Sequence, residues 1–228
     1  MRAAVIIPAA GTGSRSGLKT PKPFIRISGC PLILFSLRTF QRHRSVALVQ
    51  PVLPKAFFPA FQRRVLDRYP LSKCRSPVRG GRERQDSVFN GLKALPDDIE
   101  IVVVHDAARP FVTPAVISAV IAAAVRDGAA LAAVPAQDTL KRADSASLVK
   151  ATVDRSRLWQ AQTPQAFRAP LLREAHLRAA SDGYRGTDDA SLVERLGQPV
   201  RIVQGSSRNL KVTTSDDIAL ARALLGPS

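Results

Sequence analysis

The stretch IIPAAGTGSRSGLKTPKPF, residues 6–24, places small and basic residues directly after an apolar segment. Gly11 and Gly13 let the backbone approach a ligand closely, and their amides can face phosphate oxygens as a nest. Arg15 and Lys22 add positive charge, and the prolines on either side of Lys22 restrict its backbone. The stretch therefore predicts a site for a polyanionic ligand. The alternative is a plain strand–helix turn with exposed basic side chains.

Neither of the common phosphate-binding motifs is present in this loop. The P-loop pattern GxxxxGK[ST] fails because Leu18 follows Gly17. The dinucleotide pattern GxGxxG fails because Ser16 stands where its third glycine should be. Phosphate binding here has to rest on the Gly-Thr-Gly turn and the nearby cations.

A second candidate is HDAARPF, residues 105–111, which follows the most apolar predicted strand. Asp106 at the end of a strand is well placed for Mg²⁺, which takes one or two protein carboxylates together with phosphate oxygens. Arg109 could bind a second phosphate with its fork of N–H groups. The alternative is that Asp106 caps the turn and Arg109 neutralises it. His105 is predicted to be structural.

Four further segments offer weaker signals. In GGRERQDSV, residues 80–88, the glycine pair would let a base or ribose lie against the backbone, and Ser87 falls in the first turns of a helix. TPQAF and TDDAS offer the hydroxyls of Thr163 and Thr187, and NLKVTT offers Lys211. Each of these is weak alone, since lone lysines and Gly-Gly turns are common on surfaces.

The elements that must position these residues alternate between strand and helix. Short β-branched runs predict strands at residues 3–8, 46–52, 100–105, 130–136 and 200–204. Apolar residues at helical spacing predict helices at residues 31–43, 83–95, 114–128, 169–183, 187–197 and 214–226. Thr113, Thr187 and Thr214 are predicted to supply hydroxyls at helix N-termini.

This alternation predicts one three-layer α/β domain over residues 1–228, with a mostly parallel sheet between two layers of helices. Ligands of such sheets bind beyond the carboxyl ends of the strands. The Gly11 loop, the GGRER turn and the HDAARP turn should therefore lie on one edge. Residues 137–155 break the pattern with polar extended stretches and predict a protruding β-arm, of a kind that often serves dimerisation.

Composition narrows the class of protein. The chain has 228 residues, of which 45% are hydrophobic. After the first predicted strand, its longest apolar run is residues 115–125, about half of the ~20 residues needed to span a membrane. A weak signal-peptide pattern at residues 2–11 is better explained as a buried first strand. Cys30 and Cys74 form no CxxC pair, and the three histidines form no metal-ligand pattern. A soluble cytoplasmic protein is predicted.

The net charge of +16 is unusual and attracts anions. The basic residues are scattered along predicted helices, and aromatic residues, at 5%, offer few platforms for base stacking. A solvated arginine-rich surface is the favoured interpretation, and no specific nucleic-acid partner is predicted. A nucleic-acid-binding protein remains the alternative from another class, and it predicts steeply salt-dependent binding.

Taken together and in order, these segments resemble the 2-C-methyl-D-erythritol 4-phosphate cytidylyltransferases over residues 6–225. The resemblance rests on PAAGTGSR, the following PK, GGRERQDSV, VHDAARPF, QDTLK, TVDRSRLWQAQTPQAF, TDDAS and NLKVTTSDD. It implies a nucleotidyltransferase of the non-mevalonate isoprenoid pathway that transfers the cytidylyl group of CTP to 2-C-methyl-D-erythritol 4-phosphate and releases pyrophosphate. It also implies a Rossmann-like nucleotidyltransferase fold and a homodimer formed through the arm. Pro23, Ser16 and Arg82 depart from the usual family pattern.

The resemblance also implies roles for individual residues. Arg15, Lys22 and Lys211 would be catalytic, through electrostatic stabilisation. The expected CTP-binding residues are Ala9, Ala10, Gly11, Thr12, Gly13, Gly81 and Ser87. The expected sugar-phosphate residues are Asp106, Arg109, Thr139, Thr163, Thr187 and Arg155, the last reaching into the partner's site. Asp106 would also bind Mg²⁺.

Two neighbouring functions stay open at this stage. Ribitol 5-phosphate cytidylyltransferases are related, but they tend to carry other residues after the His-Asp pair, where this chain has Ala107 and Ala108. Some members of the family are joined to a cyclodiphosphate synthase domain. A stand-alone enzyme is the simpler expectation for this chain.

Overall fold

The computed structural model describes residues 1–10 and 21–225. Its centre is a seven-stranded sheet made of β1 (Ala3–Pro8), β4 (Val46–Leu53), β5 (Val78–Arg79), β6 (Ile101–Val104), β7 (Ala129–Pro135), β10 (Trp159–Arg168) and β11 (Arg201–Gln204). The order of the strands across the sheet is β11-β7-β10-β6-β1-β4-β5. All neighbouring pairs are parallel except those that β10 makes with β6 and β7.

Seven α-helices accompany the sheet within the described residues. They are α1 (Leu32–Arg42), α2 (Phe58–Phe61), α3 (Arg84–Lys93), α4 (Pro114–Asp127), α5 (Ala169–Ser181), α6 (Asp189–Arg195) and α7 (Ser215–Leu225). A π-helical turn, Gln62–Leu66, continues α2. No helix among these is long and apolar enough to cross a membrane.

The sheet carries a separate hydrophobic core on each face because its strands alternate their side chains. Ala3, Val5 and Ile7 of β1 join a cluster with residues of α1, α2 and α4. Ala4 and Ile6 of the same strand join a second cluster with residues of α3, α5 and α6. Near-complete burial on both faces is what the continuous apolar runs of parallel strands require. The predicted three-layer α/β architecture is confirmed.

Two small β-pairs lie outside the main sheet. β2 (Arg26–Ile27) pairs with β3 (Cys30–Pro31), and α7 packs on this pair through Ile218 and Ala221. β8 (Leu140–Ala143) pairs with β9 (Val149–Val153) as an antiparallel hairpin. This hairpin coincides with the arm predicted for residues 137–155, and its function as a dimer contact stays a prediction.

Most predicted elements occur within a few residues of the expected bounds. The strands β2, β3, β5 and β10 and the helical segment around α2 were not predicted. Thr187 is not the N-cap of α6, so that prediction was wrong. Asp188 caps α6 instead, because its carboxylate accepts the N–H of Ser191 at 2.9 Å and is held by Gln165 at 2.7 Å. Thr113 does cap α4, as predicted.

Candidate active site

The carboxyl ends of the parallel strands bring the predicted segments to one edge of the sheet. Ala9 and Ala10 follow β1, and His105 and Asp106 follow β6, its neighbour. The glycine pair follows β5 at the same edge, where the N–H of Gly80 donates to the carbonyl of Leu53 at 2.9 Å. For the GGRER and HDAARP turns and for Ala9 and Ala10, this is the arrangement expected of a mostly parallel sheet, whereas Gly11 lies outside the described residues.

Gly80 allows two of these loops to touch. A Cβ built at this position would lie 2.3 Å from the Cβ of Ala10, so any side chain would push the loops apart. A Cβ at Gly81 would lie 2.2 Å from the Cβ of Asp86. The Ser87 hydroxyl accepts the N–H of Gly81 and donates to the carbonyl of Glu83, both at 3.0 Å. Ser87 is 1% exposed, so its two hydrogen bonds hold the glycine turn from the buried side.

Asp106 is the centre of the charged cluster at this edge. Its Oδ1 accepts the Nε–H of Arg84 at 3.1 Å, and its Oδ2 lies 2.7 Å from the Nζ of Lys211. The side chain is only 11% exposed. Burial by itself raises the pKa of the Asp106 carboxyl, but the charges of Arg84 and Lys211 outweigh it and hold that pKa well below its usual range. The carboxylate is therefore ionised at neutral pH.

A buried hydrogen-bond chain holds the backbone of Asp106. The N–H of Asp106 donates to the Oγ1 of Thr163 at 3.0 Å. The Thr163 hydroxyl lies 3.2 Å from the Nδ1 of His105, whose Nε2 lies 3.0 Å from the carbonyl of Arg109. The carbonyl of Arg109 can only accept, so His105 Nε2 donates to it. Burial lowers the pKa of His105 to about 4, so the ring is neutral at pH 7 and its Nδ1 accepts the hydrogen of the Thr163 hydroxyl.

The segment that carries Lys211 is tied to the same loop. The N–H of Val212 donates to the carbonyl of Ala108 at 2.8 Å. The Asn209 side-chain amide donates to the carbonyl of Thr163 at 2.8 Å, and an Nη of Arg109 donates to the carbonyl of Asn209 at 2.6 Å. These bonds fix the backbone on both sides of Lys211, while its side chain stays 43% exposed. The lysine can therefore face a ligand that enters from solvent.

The match to known proteins covers nearly the entire chain. The sequence profile of the family described as 2-C-methyl-D-erythritol 4-phosphate cytidylyltransferase matches residues 3–227. The chain belongs to this family.

Individual relatives agree with that assignment. The 2-C-methyl-D-erythritol 4-phosphate cytidylyltransferase of Syntrophus aciditrophicus is 48% identical, over 96% of this chain and 94% of that protein. The protein of the same name from Syntrophotalea carbinolica is 46% identical, over 97% and 95%.

Solved structures carry the same fold. The 4-diphosphocytidyl-2C-methyl-D-erythritol synthase of Anaerococcus prevotii superimposes with a TM-score of 0.85 at 31% identity, over 98% of this chain and 97% of that one. The 2-C-methyl-D-erythritol 4-phosphate cytidylyltransferase of Thermus thermophilus gives 0.78 at 37% identity, with 98% of each chain covered.

The residues expected from the cytidylyltransferase resemblance do not all lie in one place. Asp106, Lys211 and Thr163 lie within one hydrogen-bonded cluster, and Arg109 is joined to it through His105 and Asn209. The residues at the base of the two loops are also at this edge; they are Ala9, Ala10, Gly81 and Ser87. Gly11, Thr12, Gly13 and Arg15 lie outside the described residues.

Three expected residues stand apart from this cluster. Thr187 is exposed just before α6, Thr139 is exposed at the base of the β8–β9 hairpin, and Arg155 is exposed just after β9. No hydrogen bond or ion pair joins any of them to Asp106 in the described part of the chain. Their expected roles in the cytidylyltransferase site therefore stay predictions.

Lys22 begins the short 3-10 turn Lys22–Phe24. Pro21 precedes this turn, and buried Pro23 is its second residue. The N–H of Phe24 donates to the carbonyl of Pro21, and the N–H of Ile25 donates to the carbonyl of Lys22. The backbone of Lys22 is therefore fixed by its neighbours, as the proline pair predicts.

Sequence reasoning missed Arg84. Its guanidinium bridges Asp106 and Asp189, with Nη1 2.7 Å from the Oδ2 of Asp189. A signal was available in the sequence, because Arg84 is a cation in the first turn of a predicted helix, where the helix dipole disfavours positive charge. Such a residue needs carboxylate partners, and sequence alone does not say which ones.

The donors at this edge suit a cation that takes most of its ligands from water and from phosphate oxygens rather than from the protein. Among residues 1–10 and 21–225, no group of three or more His, Cys, Asp or Glu side chains could hold a metal ion. Asp106 offers a single carboxylate, with Oδ2 facing the exposed lysine. One carboxylate is sufficient for Mg²⁺ when phosphate oxygens and water complete its octahedron.

Replacing Thr163 by valine is expected to destabilise the protein by about 1–3 kcal/mol, because the buried N–H of Asp106 loses its acceptor. Urea unfolding measures the change. Thr163→Ser keeps the hydroxyl and is the matched control, expected to recover most of the loss. An unchanged unfolding midpoint in Thr163→Val would contradict the hydrogen-bond chain described above.

His105 is expected to stay neutral down to about pH 4, against an ordinary value of 6.5. An unfolded chain takes up a proton at this histidine as the pH falls below about 6.5, whereas the folded chain does not. The His105 contribution to stability is therefore full above pH 6.5 and is lost as the pH falls from 6.5 towards 4. An NMR titration of the three imidazoles checks this, and a His105 midpoint near 6.5 would refute it.

Proposed function

We propose that this chain transfers the cytidylyl group of CTP to 2-C-methyl-D-erythritol 4-phosphate, with release of pyrophosphate. The observation that carries the proposal is the Asp106–Lys211 pair at the carboxyl edge of the sheet, beside the glycine turn, in a chain of the cytidylyltransferase family. The phosphate oxygen of the sugar attacks the α-phosphorus of CTP, and the bond to the β-phosphate oxygen breaks. Membership of the family and the names of its relatives support this reaction.

The main barrier is the meeting of two anions. Charge also develops on the pyrophosphate as it leaves. Preorganised cations lower this barrier because they require no rearrangement when the charge appears. We assign this role to Arg15, Lys22 and Lys211. No covalent intermediate and no general base are required, because the attacking phosphate oxygen is already negative.

The CTP site follows from the segments around the glycine turn. Backbone amides of Ala9 to Gly13 would hold the triphosphate, with Thr12 among them. Gly81 and Ser87 would hold the cytosine and ribose. The contact of Gly80 with Ala10 supports this assignment because it places the two segments side by side.

The sugar-phosphate site is proposed around Asp106 and Lys211. Arg109 and Thr163 would line it, with Thr163 acting mainly through the backbone of Asp106. Thr139 and Thr187 would complete it from the rim, and Arg155 would enter from a partner subunit.

A divalent cation, with Mg²⁺ as our proposal, would be held by Asp106 together with the phosphate oxygens of CTP. Bound there, such an ion would neutralise negative charge on the triphosphate. The residues of the chain itself orient the two substrates and set the position of Asp106.

A homodimer formed through the β8–β9 hairpin is part of the proposal. The hairpin exposes apolar side chains, with Leu148 and Val149 each 61% exposed and Val153 37% exposed. Exposed apolar residues on a protruding hairpin are typical of a surface that is covered in an assembly. Light scattering after gel filtration measures the mass directly, and a monomer at micromolar concentration would refute this part. A cytoplasmic location stays a prediction.

The function is tested by incubating the protein with Mg²⁺, CTP and 2-C-methyl-D-erythritol 4-phosphate. We expect pyrophosphate and the cytidine diphosphate derivative of the sugar to form in equal amounts. Phosphorus NMR measures both products. Ribitol 5-phosphate and the other three nucleoside triphosphates serve as competing substrates. Faster turnover of ribitol 5-phosphate would replace the proposed substrate. Absence of turnover with either sugar phosphate would refute the proposal.

A further inference from the structure

Arg84 is the only side chain in the described residues that forms ion pairs with two buried carboxylates. It is the first residue of α3 and stands three residues after Gly81. Its Nε–H donates to the Oδ1 of Asp106 at 3.1 Å, and its Nη1 donates to the Oδ2 of Asp189 at 2.7 Å. Asp189 is 1% exposed. The planar guanidinium suits this task because its fork of N–H groups can serve two acceptors in a fixed geometry.

The two cations on Asp106 differ in how easily they can leave it. Arg84 is 30% exposed and also neutralises Asp189, so its departure would leave a fully buried carboxylate without its arginine. Lys211 is 43% exposed and has Asp106 as its only ion-pair partner among described residues. Its ammonium can therefore move to a solvent-borne anion at much lower cost. Arg84 is the fixed partner of Asp106, and Lys211 is the exchangeable one.

Asp189 is held in turn by elements on the far side of the arginine. Its Oδ1 accepts the Nε2–H of His176 at 3.2 Å. The His176 ring stacks on Phe89, with ring centroids 5.6 Å apart and planes 6° from parallel. Phe89 lies on α3, the helix that Arg84 begins. The position of the guanidinium is thus fixed from both ends, through α3 and through Asp189.

We propose that Arg84 is a positioning residue that occupies one oxygen of Asp106, so that Lys211 contacts only the other oxygen and can be released to the sugar phosphate. This inference rests on the proposed function. Without Arg84, both oxygens of the buried carboxylate turn to Lys211 and hold its ammonium away from the substrate. Among the described residues, Asp189 forms ion pairs with Arg84 and His176 and none with Lys211, so we expect it to act through the arginine.

The experiment compares Arg84→Lys, Arg84→Met, Asp189→Asn and the double variant Arg84→Met/Asp189→Asn in steady-state assays. We expect Arg84→Met to lower kcat about a hundredfold and to raise KM for the sugar phosphate about tenfold, with KM for CTP changed less than threefold. Arg84→Lys keeps the charge but not the fork, and should recover part of kcat. Asp189→Asn should lower kcat about tenfold alone and have no further effect in the Arg84→Met background.

The matched control is Arg173→Met. Arg173 is exposed to a similar extent, 35%, but pairs with the surface residue Asp97, and its loss should leave kcat and both KM values unchanged. Calorimetric titration with CTP identifies variants that fail to fold. The double variant removes both charges of the Arg84–Asp189 pair, so it can still be assayed if Arg84→Met alone unfolds.

The outcomes of the experiment separate a failure of the positioning role from a failure of the proposed function. Folded Arg84 variants with normal kcat, or additive effects of Arg84→Met and Asp189→Asn on kcat, would overturn the positioning role. A wild-type protein that turns over no sugar phosphate with CTP would instead refute the proposed function itself.

Discussion

Replacing Lys211 by methionine is expected to lower kcat by about two to three orders of magnitude, because one preorganised cation at the reacting phosphates is lost. The fold should survive. The lysine side chain is 43% exposed, and Asp106 keeps its hydrogen bond to Arg84. Steady-state kinetics with CTP and the sugar phosphate, together with urea unfolding, measure the two effects separately.

A lysine elsewhere in the chain provides the control for this variant. Lys73 donates to the carbonyl of His43 at 2.8 Å, at the end of α1 and away from the glycine turn. Lys73→Met should retain wild-type kcat. If Lys211→Met also retained more than a tenth of kcat, Lys211 would not contribute to the transition state in the manner proposed.

Lys22→Ala is the second variant for which we expect a large effect, a loss of about two to three orders of magnitude in kcat. The reason is the same, since Lys22 is assigned to the charge that develops on the triphosphate. Its backbone is set by Pro21, Pro23 and the hydrogen bonds of the 3-10 turn, so the alanine variant should keep the same local fold. The assay is single-turnover formation of pyrophosphate.

Lys55→Ala is the matched control, because Lys55 also begins a 3-10 turn directly after a proline. This turn lies after β4 and carries none of the proposed contacts. Its activity should match the wild type. Near-normal turnover of Lys22→Ala would remove the assignment of the opening loop to the triphosphate.

The layers of the fold were predictable because they follow from hydrophobic periodicity. β1, β6 and β7 are buried on both faces, and a continuous apolar run is the pattern that such strands produce. The strand β10 was not predicted, because its antiparallel register with β7 shifts between Ala161 and Gln165 and its first three residues are exposed. No short-range apolar pattern encodes a strand of that kind.

The position of the site was also predictable, because the carboxyl ends of parallel strands share one edge. Its internal connections were not. Arg84 and Asp189 are 105 residues apart, and Asn209 reaches Thr163 across 46 residues. Contacts of this length depend on the packing of α3, α5 and α6, which local sequence does not determine. The N-cap of α6 shows the same limit on a small scale, since buried Gln165 of β10 takes part in holding Asp188.

The absence of a side chain at Gly80 has a consequence for the choice of nucleotide. With the Cβ of Ala10 only 2.3 Å from where a Gly80 Cβ would lie, Gly80 and Ala10 lie side by side with no space for a side chain between them. If this contact limits the size of the base, we expect discrimination against the larger purines to precede substrate binding, so it should persist even when the sugar phosphate is absent.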